Sequence, residues 1–138
     1  MTAQLIDGRH FANQIQHKLK SHIEQRSSKG LPQPGLDVIL IGNNPASATY
    51  VKFKQRACQF VGIQSHCHHL PEDTTADQLT ALIQQLNHSP NTHGILLQLP
   101  LPKHLDANNF LELIDPNKDV DGFHPTNIGR LVLRQPIM

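Results

Sequence analysis

The segment from Tyr50 to Arg56 combines the only tyrosine of the chain with three cations, at Lys52, Lys54 and Arg56. On an α-helix Tyr50 and Lys54 are about 40° apart around the axis and share a face, whereas Lys52 and Arg56 point elsewhere. A lysine that is partly desolvated beside an aromatic ring and an amide can carry a proton in catalysis. An exposed lysine beside a half-buried tyrosine has the same spacing and is common on helices. The spacing alone therefore favours a surface pair.

Gln98 is a polar residue inside the apolar run GILLQLPLP. If its side chain is buried, both its carbonyl and its NH₂ group need hydrogen-bond partners. Two interpretations are open: a core glutamine satisfied by the backbone, or a partner that holds a lysine or a ligand. Pro100 and Pro102 should end the strand and stiffen the loop that follows it.

Three aspartates, Asp115, Asp119 and Asp121, lie in the segment DPNKDVDGFHP. Their spacing resembles a calcium-binding loop, but no glutamate follows at the position that such a loop requires. Asx-type turns are one alternative. Another is a carboxylate that binds a ligand through adjacent ring N–H and amino groups.

The segment HCHH, residues 66–69, suggests metal binding at first sight. In a strand, however, its side chains alternate between two faces, and no second cluster has the spacing of zinc ligands. We therefore predict no metal site. The chain also contains no G-x-x-x-x-G-K-[ST], G-x-G-x-x-G or G-x-S-x-G motif, so phosphate cradling and serine hydrolysis have no support.

Composition narrows the class of protein further. A chain of 138 residues suits a single domain, and its net charge of +1 with few aromatic residues argues against a nucleic-acid or anionic-membrane partner. Two cysteines, no signal-like start and no apolar run of membrane-spanning length indicate a reduced cytoplasmic protein.

The first half of the chain alternates between helical and strand patterns. Phe11, Ile15, Leu19 and Ile23 recur every fourth residue, which predicts an amphipathic helix between Asp7 and Gly30. A buried strand is predicted over 36–42, then a helix with Ser47 as a plausible N-cap that ends at Gly62, and a second, less apolar strand over 63–70.

The second half continues the alternation. It contains a third helix with capping candidates at 73–75, a third strand that includes Gln98, a short helix over 106–114, and a tail rich in Gly, Pro and Asn. We therefore predict an α/β fold: three layers, with a mostly parallel sheet flanked by helices in βα repeats, in a single domain. Ligands of such sheets bind beyond the carboxyl ends of the strands.

Four segments together resemble the bifunctional methylenetetrahydrofolate dehydrogenase/methenyltetrahydrofolate cyclohydrolase family. They are LIDGRHFANQI, GNNPASATYVKFKQRACQFVGI, GILLQLPLPKH and DPNKDVDGFHPTNIGRL, which follow one another in the family's order. The resemblance implies oxidation of methylene-tetrahydrofolate to methenyl-tetrahydrofolate with NADP, then hydrolysis to formyl-tetrahydrofolate. It covers nearly the whole chain.

The resemblance also implies roles for individual residues. Lys54 matches the family's catalytic lysine, and Gln98 matches the glutamine that hydrogen-bonds this lysine. Tyr50 matches the aromatic residue that packs on the folate rings, and Asp121 the carboxylate that binds the pterin edge. Pro100 is expected among the substrate-binding residues.

The same resemblance implies that residues 1–124 form a tetrahydrofolate-binding catalytic domain and that 125–138 lead to a Rossmann-type NADP-binding domain outside this chain. We expect a fragment whose dehydrogenase activity is impaired, from a full-length homodimer. Two alternatives remain: a non-catalytic module that binds a pterin or a protein, and a short-chain-type dehydrogenase that uses Tyr50 and Lys54.

Overall fold

Three parallel strands form the sheet in the computed structural model, which describes residues 6–135. The helices are α1 (Gly8–Ser28), α2 (Pro45–Val61), α3 (Ala76–His88), α4 (Ala107–Leu111) and α5 (Pro125–Val132), and the strands are β1 (Gly35–Ile41), β2 (Gln64–Leu70) and β3 (Gly94–Leu97). Leu5, which starts the first family-like segment, and residues 136–138 of the expected linker lie outside the described range.

The order of strands is β2-β1-β3, so β1 lies in the centre and is buried on both faces. Alternate residues of β1 enter two cores. Ile39 and Ile41 pack with the apolar face of α3 and with Phe110 of α4, while Val38 and Leu40 pack with Val51 of α2. The predicted three-layer α/β fold with a parallel sheet is confirmed.

The N-cap of α2 differs from the prediction. Asn44, not Ser47, caps the helix: its side-chain oxygen accepts hydrogen bonds from the backbone N–H groups of Ala46 and Ser47, at 3.0 and 3.1 Å. Pro45 occupies the first turn, where its missing N–H has no cost. Ser47 is instead buried, and its hydroxyl donates to the carbonyl of Leu99 at 3.5 Å. Thus the helix starts earlier than predicted.

Three further differences concern exposed or short segments. β3 ends at Leu97, so Gln98 lies just beyond the strand rather than inside it. The apolar stripe of α1 is buried only at Ile23, whereas Phe11 is 56% exposed. Helix α5 lies in the Gly-, Pro- and Asn-rich tail, where no helix was predicted, and has His124 as its N-cap. The α1 stripe shows that apolar periodicity predicts a helix but not how much of its face other elements cover.

Candidate active site

Helix α2 places Lys54 at the border of its buried face. Val51, Cys58 and Val61 of this helix are buried, so their face points at the sheet, and Lys54 is half-buried beside them. Lys52 and Arg56 are exposed, in agreement with the helical geometry. Lys54 therefore differs from its neighbouring cations because its ammonium reaches the end of the sheet.

Gln98 follows the carboxyl end of β3 and meets this lysine. Its backbone N–H donates to the carbonyl of Ile39 at 2.9 Å, which extends the pairing of β3 with β1 by one residue. Its side-chain NH₂ donates to the carbonyl of Leu99 at 2.8 Å, and its Oε1 accepts from Lys54 Nζ at 3.2 Å. The amide is thereby fixed in one orientation, with its oxygen directed at the ammonium group.

Asp121 completes the group from a third part of the chain. A cavity of about 280 Å³ opens at this end of the sheet, lined by Lys54, Leu96, Leu97, Gln98, Leu99, Asp121 and Phe123. Desolvation raises the pKa of Asp121; the charge of Lys54 acts in the opposite direction, and that of Asp119 adds to the increase. A cation, an amide and a carboxylate thus surround one cavity with apolar walls.

Tyr50 and Pro100 lie apart from this cavity. Tyr50 is one helical turn before Lys54, 63% exposed, and is not among the residues that line the cavity. Pro100 lines a separate cavity of about 100 Å³, together with Asn43 and Asn44. The roles expected for both residues stay predictions, as do those of Lys54, Gln98 and Asp121.

Phe123 was not identified from the sequence, although it lines the cavity and is 46% exposed. The signal available in the sequence was an aromatic residue two positions after Asp121 and directly after a glycine. In the structure this glycine, Gly122, has φ of +71°. Glycine adopts this left-handed conformation at no steric cost, which lets the chain turn between Asp121 and Phe123. Phe123 supplies an exposed aromatic edge at the cavity.

The arrangement could bind a flat ligand and move a proton. Leu96, Leu97 and Leu99 offer apolar contact, Asp121 can accept hydrogen bonds from adjacent N–H groups, and Lys54 can exchange a proton within reach of a bound ligand. Among residues 6–135, no group of three His, Cys, Asp or Glu side chains is arranged to hold a metal ion. No helix in that range is long and apolar enough to cross a membrane.

A family profile and a curated relative match most of this chain. The sequence profile described as "Tetrahydrofolate dehydrogenase/cyclohydrolase, catalytic domain" matches residues 6–121. The bifunctional protein FolD of Nautilia profundicola is 52% identical over 128 residues, which cover 93% of this chain and 45% of that protein. The chain therefore spans about half the length of this curated relative.

Two solved structures have the same fold. The bifunctional methylenetetrahydrofolate dehydrogenase/cyclohydrolase FolD of Campylobacter jejuni has a TM-score of 0.91 and 49% identity, covering 94% of this chain and 46% of that one. The Trypanosoma brucei dehydrogenase-cyclohydrolase, complexed with NADP and an inhibitor, has a TM-score of 0.91 and 34% identity, covering 99% and 47%.

These matches extend over most of the chain and rule out the short-chain-type dehydrogenase alternative, whose relatives would have a different family profile. By its sequence profile and by its relatives, this chain belongs to the tetrahydrofolate dehydrogenase/cyclohydrolase family.

Proposed function

We propose that the protein carrying this chain oxidises methylene-tetrahydrofolate to methenyl-tetrahydrofolate with NADP and hydrolyses the product to formyl-tetrahydrofolate. The observation that carries the proposal is the hydrogen bond from Lys54 to Gln98, at 3.2 Å, beside a cavity that Asp121 also lines. The names of the relatives from Campylobacter jejuni and Trypanosoma brucei support the two activities. Residues 1–124 form the folate-binding part in this proposal.

Lys54 acts as the proton carrier of the hydrolysis. Methenyl-tetrahydrofolate carries a cationic amidinium carbon, and water attacks this carbon while neutral Lys54 accepts one of the water protons. The lysine then returns the proton to the leaving nitrogen as the C–N bond breaks. The remaining hydroxyl proton is released to solvent as the formyl C=O forms, so the reaction consumes one water and releases one proton.

The other residues position the lysine and the substrate. The Oε1 atom of Gln98 fixes the direction of the Lys54 amine, because the NH₂ group of Gln98 is itself held by the Leu99 carbonyl. Asp121 accepts hydrogen bonds from adjacent N–H donors of the pterin. Tyr50 packs on the folate rings, and Pro100 contributes to the substrate site.

The dinucleotide belongs to another part of the protein in this proposal. NADP supplies the hydride acceptor when bound. The loop GNNPAS after β1 does not fit its phosphates, because it is not a glycine-rich dinucleotide loop. The relatives are about twice as long, which supports a Rossmann-type domain beyond a linker over 125–138. We also propose a cytoplasmic homodimer, without a nucleic-acid or membrane partner.

The role of Lys54 is tested by the decay of methenyl-tetrahydrofolate absorbance in the full-length protein. Lys54→Met should lower the hydrolysis rate by about a hundredfold or more, because a positioned acid or base contributes about 10²–10⁴-fold. Lys52→Met is the matched control, since Lys52 is exposed on another face of the same helix. A folded Lys54→Met protein with an unchanged rate would contradict the assignment.

A non-catalytic folate-binding module is the second candidate for the isolated chain. The observation that favours it is the open site: Asp121 is exposed although it lines the cavity. Thermal shifts of residues 1–138 with methenyl-tetrahydrofolate or NADP separate the ligands, because a ligand stabilises only a native state that binds it. Stabilisation by the folate without turnover would favour the module, whereas stabilisation by NADP alone would contradict the proposed location of the cofactor site.

A further inference from the structure

Asp119 is the centre of the turn from which Asp121 projects. One of its carboxylate oxygens accepts the backbone N–H of Gly122 at 3.0 Å. The other accepts the backbone N–H of His124 at 2.8 Å and the side-chain Nδ2 of Asn127 at 3.0 Å. These three bonds enclose Asp121, so the direction of the Asp121 side chain depends on a carboxylate two residues away.

The turn is also fixed to the sheet on its other side. The backbone N–H of Ile95, in β3, donates to the carbonyl of Lys118 at 2.7 Å, and Ile95 and Asp119 form an isolated parallel bridge. β3 leads directly to Gln98, three residues later. Through Asp119, the turn that carries Asp121 is therefore attached to β3. The same strand positions Gln98, and Gln98 in turn positions Lys54.

Asn127 connects the turn to helix α5. The Nδ2 group of Asn127 donates to Asp119 Oδ2 and also to the backbone carbonyl of Pro116, at 2.8 Å. One side-chain amide thus closes a loop between residues eleven positions apart. Gly122 has φ of +71°, a left-handed conformation that lets the chain reverse immediately after Asp121. The two features make the loop a closed unit with Asp119 inside it.

The ionisation of Asp119 agrees with this geometry. Desolvation acts to raise the pKa of Asp119, but the hydrogen bonds from Asn127 and from the backbone N–H groups of His124, Phe123 and Gly122 outweigh it, so the pKa lies below its usual value. An ionised carboxylate accepts such bonds more strongly than a neutral amide oxygen. Asparagine at this position should therefore hold the turn less firmly.

We propose that Asp119 is a positioning residue of the folate site, which holds Asp121 toward the cavity beside Lys54 by organising the turn over 119–127. This inference rests on the proposed function, in which Asp121 binds the pterin. Asp119 itself does not line the cavity and therefore acts through Asp121.

A double-mutant cycle in the full-length protein tests this. Asp119→Asn, Asp121→Asn and the double variant are compared for the KM and kcat of methenyl-tetrahydrofolate hydrolysis, with Asp73→Asn as an exposed aspartate control. Asp119→Asn should raise KM by about tenfold with little change in kcat, because it weakens binding of the substrate rather than the chemical step. The double variant should match Asp121→Asn, since residues that act as a unit are not additive.

Two results would overturn the inference: a wild-type KM for folded Asp119→Asn, or a double variant whose loss is the product of the two single losses. If Asp119→Asn does not fold, Asn127→Ala replaces it, because it removes a donor to the same carboxylate, and an unchanged KM there is equally decisive. A wild-type KM for Asp121→Asn would contradict the proposed pterin contact itself, and thereby separates failure of the proposed function from failure of the positioning role.

Discussion

Lys118 provides a sharp test of how the end of helix α3 is held. Its ammonium group donates to three backbone carbonyls at this end, those of Leu86, Asn87 and Ser89, at 3.0, 2.7 and 2.9 Å. The last carbonyls of a helix have no intrahelical partner and carry the negative end of its dipole. Lys118→Met keeps the aliphatic part of the side chain and removes the charge that satisfies these groups.

The expected loss follows from these contacts. A hydrogen bond to a charged group contributes about 1.5–3 kcal/mol, and the three bonds share one ammonium, so their contributions do not add. Favourable interaction with the helix dipole adds about 0.3–1 kcal/mol, while access of water to this half-buried site offsets part of the total. We expect Lys118→Met to lower the free energy of unfolding by about 2–3 kcal/mol.

Urea unfolding measures this change directly. With an m-value of about 2 kcal/mol/M, the midpoint should move down by about 1–1.5 M without a change in the m-value. Lys18→Met is the matched control, because Lys18 is exposed on α1. A shift for Lys118→Met no larger than that of the control would refute the reasoning, and would mean that water satisfies the helix end equally well.

Two further predictions concern stability. The pKa of Asp121 is raised in the folded state, mainly by desolvation, so the charged carboxylate lowers stability at any pH above its folded-state and unfolded-state pKa values. Asp121→Asn should therefore stabilise the fold at pH 7. This gain should vanish as the pH falls below about 3.9, the usual pKa of aspartate, because the carboxyl is then protonated in both states. Urea titrations at the two pH values check this, and a gain that persists in acid would contradict it. Gly35→Ala should destabilise by about 1–3 kcal/mol, because its Cβ would collide with the carbonyl oxygen of Asn91. Thermal melts measure this loss. Gly8→Ala is the control, because no atom lies within 4 Å of a Cβ added at Gly8, and equal melting temperatures of the two variants would exclude the collision.

Local patterns predicted the elements well where the signal lies within a few residues. Leu79 and Ile83 repeat with helical spacing and are fully buried in α3, and the apolar run of β1 is buried on both faces. The N-cap of α2 was wrong because two polar residues, Asn44 and Ser47, were available, and a competing contact with Leu99 decided between them. That contact joins residues 52 positions apart, so no local rule detects it.

Helix α5 was missed for a related reason. It has eight residues and follows a segment rich in turn formers, so local propensity gave no clear signal. Its first turn is stabilised by Asn127, whose partners are Pro116 and Asp119. The exposed Phe11 on α1 shows the opposite error: helical periodicity was correct, but burial depends on which elements pack against the helix.

The sequence by itself determined the alternation of helices and strands, the family, and Lys54 as the cation on the face of Tyr50. These follow from hydrophobic period, helical geometry and motifs, which are all local properties. The contact of Lys54 with Gln98, 44 positions away, was implied by the family resemblance and is seen directly in the structure. Only the tertiary structure decided that Asp121 lines the same cavity while Tyr50 and Pro100 lie outside it. The physical reason is the parallel pairing of β1 and β3: it places the end of β3 next to α2, and residues distant in the chain meet only after the sheet has formed.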